Sequence, residues 1–286
     1  MSVSDVRRWR TPREGDLGLR SIGNHAGLGI SVLPNGSVFA VEHRTASGAI
    51  LVNQVLASPI EGGIGRILLR AGGASPTNIE AVGSRARVRL GVAVDRVVWE
   101  GVTSGIRHRV TLRLLPDRTA WLWHVEATNA DAAAVPIDAI LVQDLGLGVR
   151  AFVTNNEAYA SQYIDHHIAR DARCGPVVMS RQNLAQDGKH PWVVHGCLDG
   201  ASAFATDAMQ VFGPCHRDAD GIRAAEPPQG ANCSPSGGSA AAKPQAWGST
   251  HLAFGTRLAD RRLQHEAACA AIQSFPITLE PGASAA

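Results

Sequence analysis

The chain has 286 residues, and 27 Lys and Arg against 25 Asp and Glu leave a formal net charge of +2. That balance gives no electrostatic footprint for nucleic acid or for an anionic membrane surface. No stretch approaches the ~20 apolar residues of a membrane span, and the length suits one large β domain or two small ones.

The first 25 residues are basic and polar. Arg7, Arg8 and Arg10 are followed by no apolar region of a secretory signal, so residues 1–25 are expected to be a flexible arm. Residues 28–43 read as a hairpin around Asn35-Gly36, a dipeptide that tolerates positive φ at both turn positions. Residues 50–52 and 67–70 are short apolar runs near glycine clusters. From Arg85 the alternation is strong. Ala86, Val88, Leu90, Val92 and Val94 fall on one face, with Arg85, Arg87, Arg89 and Gly91 opposite. Residues 106–114 repeat the pattern, Pro116-Asp117-Arg118 turns the chain, and 120–127 return as the partner strand. Asn129-Ala130-Asp131 breaks the run, and 135–142 form a further strand. Period-2 segments between turn signals predict an antiparallel sandwich. Residues 224–249 have no periodicity and many Pro, Gly, Ser and Ala, the composition of a disordered surface insertion. Residues 257–274 are ambiguous. Their alanine content favours helix, with Leu263, Ala267, Ala270 and Ser274 on one face.

Chemistry concentrates between Gln143 and Leu198. Gln143-Asp144-Leu145-Gly146 opens this region, followed by Asn156-Glu157-Ala158-Tyr159 and Ser161-Gln162-Tyr163-Ile164-Asp165-His166-His167. Ser180-Arg181-Gln182-Asn183 and His190-Pro191-Trp192-Val193-Val194-His195 complete it. Amides, carboxylates, imidazoles and aromatics together suit a neutral polyhydroxylated ligand. Hydroxyls take bidentate polar partners, and sugar faces take flat apolar ones.

These motifs, with 205–213 and Leu263-Gln264-His265-Glu266, resemble the amino-terminal β-supersandwich domain of the 1,2-β-oligoglucan phosphorylase and cellobiose phosphorylase group, glycoside hydrolase family 94, formerly glycosyltransferase family 36. The likeness runs from about residue 28 to 282. It implies an all-β fold: an antiparallel supersandwich, galactose-mutarotase-like, of two large sheets over 26–286 with few short helices. It also tips 257–274 towards strand. In the family this sandwich precedes a helical linker and an (α/α)6 barrel that carries the general-acid aspartate and the phosphate site. Inverting phosphorolysis needs an acid on the glycosidic oxygen while phosphate attacks the opposite face of the sugar. No barrel sequence is recognised here. The resemblance therefore implies a truncated or split form of such an enzyme, inactive alone: a carbohydrate-binding domain without catalytic residues of its own, with inorganic phosphate as co-substrate of the parent enzymes and no other cofactor. The partners it implies are a β-glucan oligosaccharide, a catalytic barrel polypeptide and a second copy of the chain. The alternative is an assembly module that completes a dimer or a separately encoded barrel without binding sugar.

By position in the resemblance, Tyr163, Asp165, His166 and His167 form a loop that reaches a sugar site. The competing reading is a strand end, with Tyr163 and Ile164 in the core and Asp165 capping a turn. Arg181, Gln182 and Asn183 either bond sugar hydroxyls or a neighbouring domain, or form a β-turn. Trp192 could stack on a pyranose face, but in a Pro-Trp-Val-Val run it is expected in the core. Glu157 and Asp165 make no hydrolytic pair, because eight extended residues would separate them by ~26 Å. His166 and His167 on a strand would face opposite ways. His190, His195, Cys197, Cys215, His216, Asp218 and Asp220 follow no zinc spacing. Five cysteines without a close pairing motif (Cys174, Cys197, Cys215, Cys233 and Cys269) are expected as reduced thiols of a cytoplasmic protein.

Overall fold

Alternation fixes the sheet faces. Across Ile106–Leu114, the residues Ile106, His108, Val110, Leu112 and Leu114 are buried, while Arg107, Arg109 and Arg113 face solvent. Burying each aliphatic side chain stabilises by ~1.5–3 kcal/mol. A one-residue slip would send the whole set to water, so the register is specified strongly.

The structure is a computed structural model that describes residues 18–46, 48–54, 65–73, 76–212, 257–264 and 267–286. The expected insertion at 224–249 lies outside these residues. In chain order the strands begin with β1 (Arg20–Gly23), β2 (Leu28–Val32), β3 (Val38–Thr45), β4 (Gly48–Leu51), β5 (Arg66–Ala71) and β6 (Thr77–Val82). Next come β7 (Val88–Val92), β8 (Arg96–Thr103), β9 (Ile106–Leu114), β10 (Trp121–Asn129), β11 (Val135–Asp144) and β12 (Gly148–Val149). Two short helices follow, α1 (Arg150–Asn155) and α2 (Glu157–Gln162), then β13 (Ile164–Asp171), β14 (Gly175–Gln182), β15 (Trp192–His195) and β16 (Ala201–Asp207). The last elements are α3 (Ala208–Phe212), β17 (Ala268–Ser274), β18 (Ile277–Leu279) and β19 (Ser284–Ala285).

The strand ladders are antiparallel. The all-β expectation holds. The two large sheets expected are replaced, among the described residues, by four smaller ones. Their orders are β1-β2-β3-β4-β12, β19-β10-β9-β8-β7, β16-β17-β11-β5-β6 with β18 also on β11, and β13-β14-β15. Register shifts at Ser31/Val32, Ile67/Leu68, Ala201/Ala203 and Ala205/Asp207 mark bulges, which bend and twist the strands and so break up broad flat sheets. All four sheets feed one core. Ile30, Trp99, Leu112, Ile67, Ile272, Ile164 and Val178 belong to the same cluster. The third sheet is buried on both faces. Ile67 and Leu69 point into the main core, and Leu68 joins Ile140, Val142 and Val211 on the other side. This explains the unbroken apolar run of β5.

Several sequence expectations change. The supposed arm is already a strand at Arg20–Gly23, because Ile22 pairs with Ile30 and is buried. The 33–36 turn has positive φ at Gly36 but not at Asn35. Pro34 presets its own φ, Gly36 N bonds Leu33 O at 2.9 Å, and Asn35 Oδ1 accepts from Ser37 N at 3.0 Å. Positive-φ pairs occur instead at Ser104-Gly105, between the paired Thr103 and Ile106, and at Asp187-Gly188, between Gln186 and Lys189, which exchange two backbone bonds. Val94 is exposed at a hairpin tip, where Ala93 N bonds Arg96 O. The strand reading of 257–274 holds for Ala268–Ser274. There β17 lies between β16 and β11, and ladder bonds on both sides override alanine's helical preference. No helix among the described residues is long and apolar enough to cross a membrane.

Candidate functional site

Several of the motif amides serve the interior. Asp144 Oδ2 accepts from Gln54 N at 3.0 Å, and Gln143 Nε2 reaches Asp144 Oδ1 at 3.3 Å. Gln54 Nε2 donates to Leu145 O at 2.8 Å and to Ser161 Oγ at 2.7 Å, and Ser161 Oγ also accepts from Ala268 N. Gln182 Nε2 donates to Ala160 O at 2.9 Å and Gly146 O at 3.2 Å, while its Oε1 accepts from Leu184 N. Gly146 is required because an added Cβ would lie 2.9 Å from Asn53 O and 2.7 Å from a Val153 methyl. Gln143, Asp144, Ser161 and Gln182 therefore form a buried network that joins β11, α2, β14 and β17. Such groups are tolerated inside only when bonded.

The three-stranded sheet sorts the remaining candidates by face. On its inner face Ile164 lies opposite Gln182, His166 opposite Ser180 and Val193, and Ile168 opposite Val178 and His195. On its outer face one cross-strand row runs Asp165–Arg181–Trp192, and the next runs His167–Met179–Val194. His166 and His167 do face opposite ways. His166 is buried and its Nδ1 lies 2.9 Å from Ser180 Oγ. Burial first, then the charge of Arg262, hold His166 down at about 4 against a smaller opposing pull from Asp165. His195 is also held at about 4, by burial first and by His166 beside it. Both imidazoles are therefore neutral near pH 7.

Of the sequence-predicted residues, Asp165, His167, Arg181 and Asn183 are presented at or near the outer face, and His166 and Gln182 point inward. Asp165 forms an ion pair with Arg262 at 2.5 Å, and Arg181 Nη2 donates to Asn183 Oδ1 at 2.9 Å. Tyr163 ends α2 rather than joining a loop. Its ring lies 4.8 Å from that of Tyr159, and a hydrogen bond between the two phenols pushes Tyr159 up. The expectation of a buried Trp192 is overturned: it is 68% exposed, because β15 is an edge strand and Trp192 falls on the outer face. The extended-chain separation of Glu157 from Asp165 does not apply, since Glu157–Gln162 is helical. Asp165 is already paired with Arg262. Among the described residues no group of three or more His, Cys, Asp or Glu is placed to hold a metal ion, and Cys215, His216, Asp218 and Asp220 lie outside them. Among the described residues Cys174, Cys197 and Cys269 are free thiols, and burial raises the last two.

Sequence reasoning missed a cleft of about 930 Å³. Residues from all four sheets line it, among them His43, Trp121, Trp123, Ile272 and His195. Along one side runs β10, whose outer edge pairs with β19 only at Ala127 and Thr128. Along another runs β15, which pairs only with β14. Among the described residues the Trp121-to-Val125 edge and the β15 edge thus have no strand partner across the cleft. Trp121 packs edge-on to His195 at 6.0 Å. His195 is 5% exposed, and among the described residues neither of its nitrogens has a hydrogen-bond partner, nor does Trp123 Nε1. The available signal was Trp121-Leu122-Trp123-His124, which alternation alone classes as ordinary strand.

A family model described as the SOGP N-terminal domain matches residues 31–233. Over 164 residues, 57% of the chain, the sequence is 33% identical to a 1,2-beta-oligoglucan phosphorylase of Listeria innocua. The matched region spans 14% of that protein's length.

Proposed function

Because the chain belongs to the SOGP N-terminal domain family, we propose that it is the carbohydrate-binding N-terminal domain of a β-glucan phosphorylase of glycoside hydrolase family 94. Its substrate in this reading is a 1,2-β-linked oligoglucan, and its β-supersandwich arrangement is part of the same proposal. One observation carries the reading. Asp165, Arg181 and the exposed indole of Trp192 lie in one cross-strand row on the outer face of the β13-β14-β15 sheet. A carboxylate and a guanidinium bond hydroxyls, and a flat indole covers the apolar face of a pyranose. His167 and Asn183 extend the polar surface, with Tyr163 at its border. None of these is a catalytic residue. The general acid and the phosphate site are assigned to a catalytic (α/α)6 barrel, and the location proposed is cytoplasmic.

Calorimetric titration of the chain with short β-1,2-glucans tests the reading. Binding should weaken about tenfold, or ~1.4 kcal/mol, in Arg181→Ala. Heats that are absent, or that ignore this substitution, would refute it. With the same glucans and phosphate, the chain alone should release no glucose 1-phosphate.

A second reading rests on the apolar strip of the same face. Trp192 and Val194 are exposed beside half-buried Met179. Such a strip favours an assembly module docked on a catalytic barrel or on a second copy of the chain. Light scattering that changes on Trp192→Ala while glucan titrations stay flat would select this reading.

A further inference from the structure

We propose that the cleft between β10 and β15 is a separate binding site for a neutral, hydroxyl-bearing ring, of the size of one or two hexose units. The inference rests on the lining of the cleft and not on the outer face. Its volume of about 930 Å³ falls within the ~300–1,000 Å³ of small-molecule sites. Such sites combine apolar and aromatic walls with a few convergent polar groups. Here the walls include Trp121, Trp123 and Ile272, and the polar groups include the imidazoles of His43 and His195 and the amide of Gln186.

Two observations point to a ligand. Among the described residues, His195, more than nine-tenths buried at the cleft, has both nitrogens unpartnered, and the indole N–H of Trp123, which also lines the cleft, is unpartnered too. Buried polar groups are normally bonded, so two such residues lining one cavity call for a partner that the described residues do not supply. Among the described residues, the two strand edges facing the cleft add backbone N–H and C=O groups without a strand partner, from alternate residues along 121–125 and 192–195.

The chemistry of these groups selects the ligand class. A neutral imidazole offers one donor and one acceptor, and a strand edge offers both in alternation. A hydroxyl donates and accepts, so it satisfies either. The charged side chains at the cleft are Lys189, Asp187 and Asp199, all exposed and mixed in sign, so no field of one sign draws in an ion. The indoles would cover the apolar face of a ring.

Hydrogen–deuterium exchange on the whole chain with sophorose, glucose or inorganic phosphate tests the site. At ~10 mM, enough to populate a site of millimolar affinity, sophorose or glucose should protect amides 121–125 and 192–195. Phosphate should leave them unchanged. Trp121→Ala, at a half-buried position, should weaken binding about tenfold, and Arg181→Ala on the outer face should not alter the protection. Should Trp121→Ala fail to fold, the wild-type protection map decides alone. No protection by either sugar, or equal protection by phosphate, would overturn the proposal. Protection confined to 165–167 and 181–183 would overturn it too, while supporting the outer-face reading.

Discussion

Gln182, the last residue of β14, donates its amide to the carbonyl of Ala160 in α2 at 2.9 Å, and through the same nitrogen to Gly146 at 3.2 Å. One side chain thus ties the three-stranded sheet to the helix before it and to the Gln143-to-Gly146 motif. Gln182→Leu keeps the bulk but strips both carbonyls and Leu184 N of their partner. Unpaired buried groups cost ~1–3 kcal/mol, and the urea midpoint should fall accordingly. Asn183→Ala, one residue on and exposed, should stay within ~0.5 kcal/mol. Equal effects would show that the network is dispensable.

Stability should depend on pH through His166 and His195. Their folded pKa values, about 4, lie below the usual 6.5. The unfolded chain therefore takes up protons near pH 6.5 while the folded chain refuses them until about 4. Where the unfolded state binds more protons, stability rises with pH. The contribution is complete above pH 6.5 and is lost as pH falls towards 4, up to ~3 kcal/mol per histidine. Urea unfolding from pH 7.5 to 4.5 should show this slope, and His195→Phe should roughly halve it. A flat profile over that window would contradict the burial of the pair.

Arg70 and Asp138 face each other across β5 and β11, with side chains 3% and 9% exposed. Arg70 Nε donates to Asp138 Oδ1 at 2.7 Å, and Gln273 Nε2 reaches Oδ2 at 3.2 Å. Arg70→Met should cost ~3–5 kcal/mol, because it leaves a buried carboxylate without its counter-charge. Arg70→Met with Asp138→Leu should recover most of that loss. A double-mutant cycle in denaturant checks this, and additive losses would count against a buried pair.

Gly36 has φ +91°, and its carbonyl accepts from Trp99 Nε1 at 2.7 Å. A Cβ there would sit 3.0 Å from the same nitrogen. Gly36→Ala should cost ~1–2 kcal/mol from the backbone alone, and it should shift the Trp99 fluorescence environment. Unchanged thermal unfolding would show that the hairpin can re-form another way.

The sequence was most legible where one face is wet. Ile106–Leu114 buries the residues that alternation selects, and its partner at 120–127 follows. It was least legible at edges and in polar clusters. In Pro191-Trp192-Val193-Val194 three apolar residues run together, so no phase marks which faces out. The pairing of Trp192 with Arg181 decides it. Gln182 looked like a ligand contact because the carbonyls it serves, Gly146 and Ala160, are backbone groups distant in sequence, and a sequence carries no sign of those. The motifs name Asp165, Arg181 and Asn183, and the strand pairing puts Asp165 and Arg181 on the outer face, with exposed Asn183 next to them. The motifs do not name the cleft, since its walls come from four separated sheets.

The placement of β17 has a consequence for how the protein is made. It lies between β11 and β16, yet β11 ends at Asp144 and β17 starts at Ala268, more than a hundred residues later. At ~5–20 residues per second the ribosome needs ~6–25 s to cover that gap. Throughout it, the Ile140-to-Asp144 edge of β11 waits without its strand, apolar and open to any other extended segment. The expected outcome is that the time between making the socket and making its plug, rather than the stability of the finished fold, governs how much nascent chain is lost to misassembly. Holding factors or slower initiation should therefore raise soluble yield without changing the unfolding midpoint.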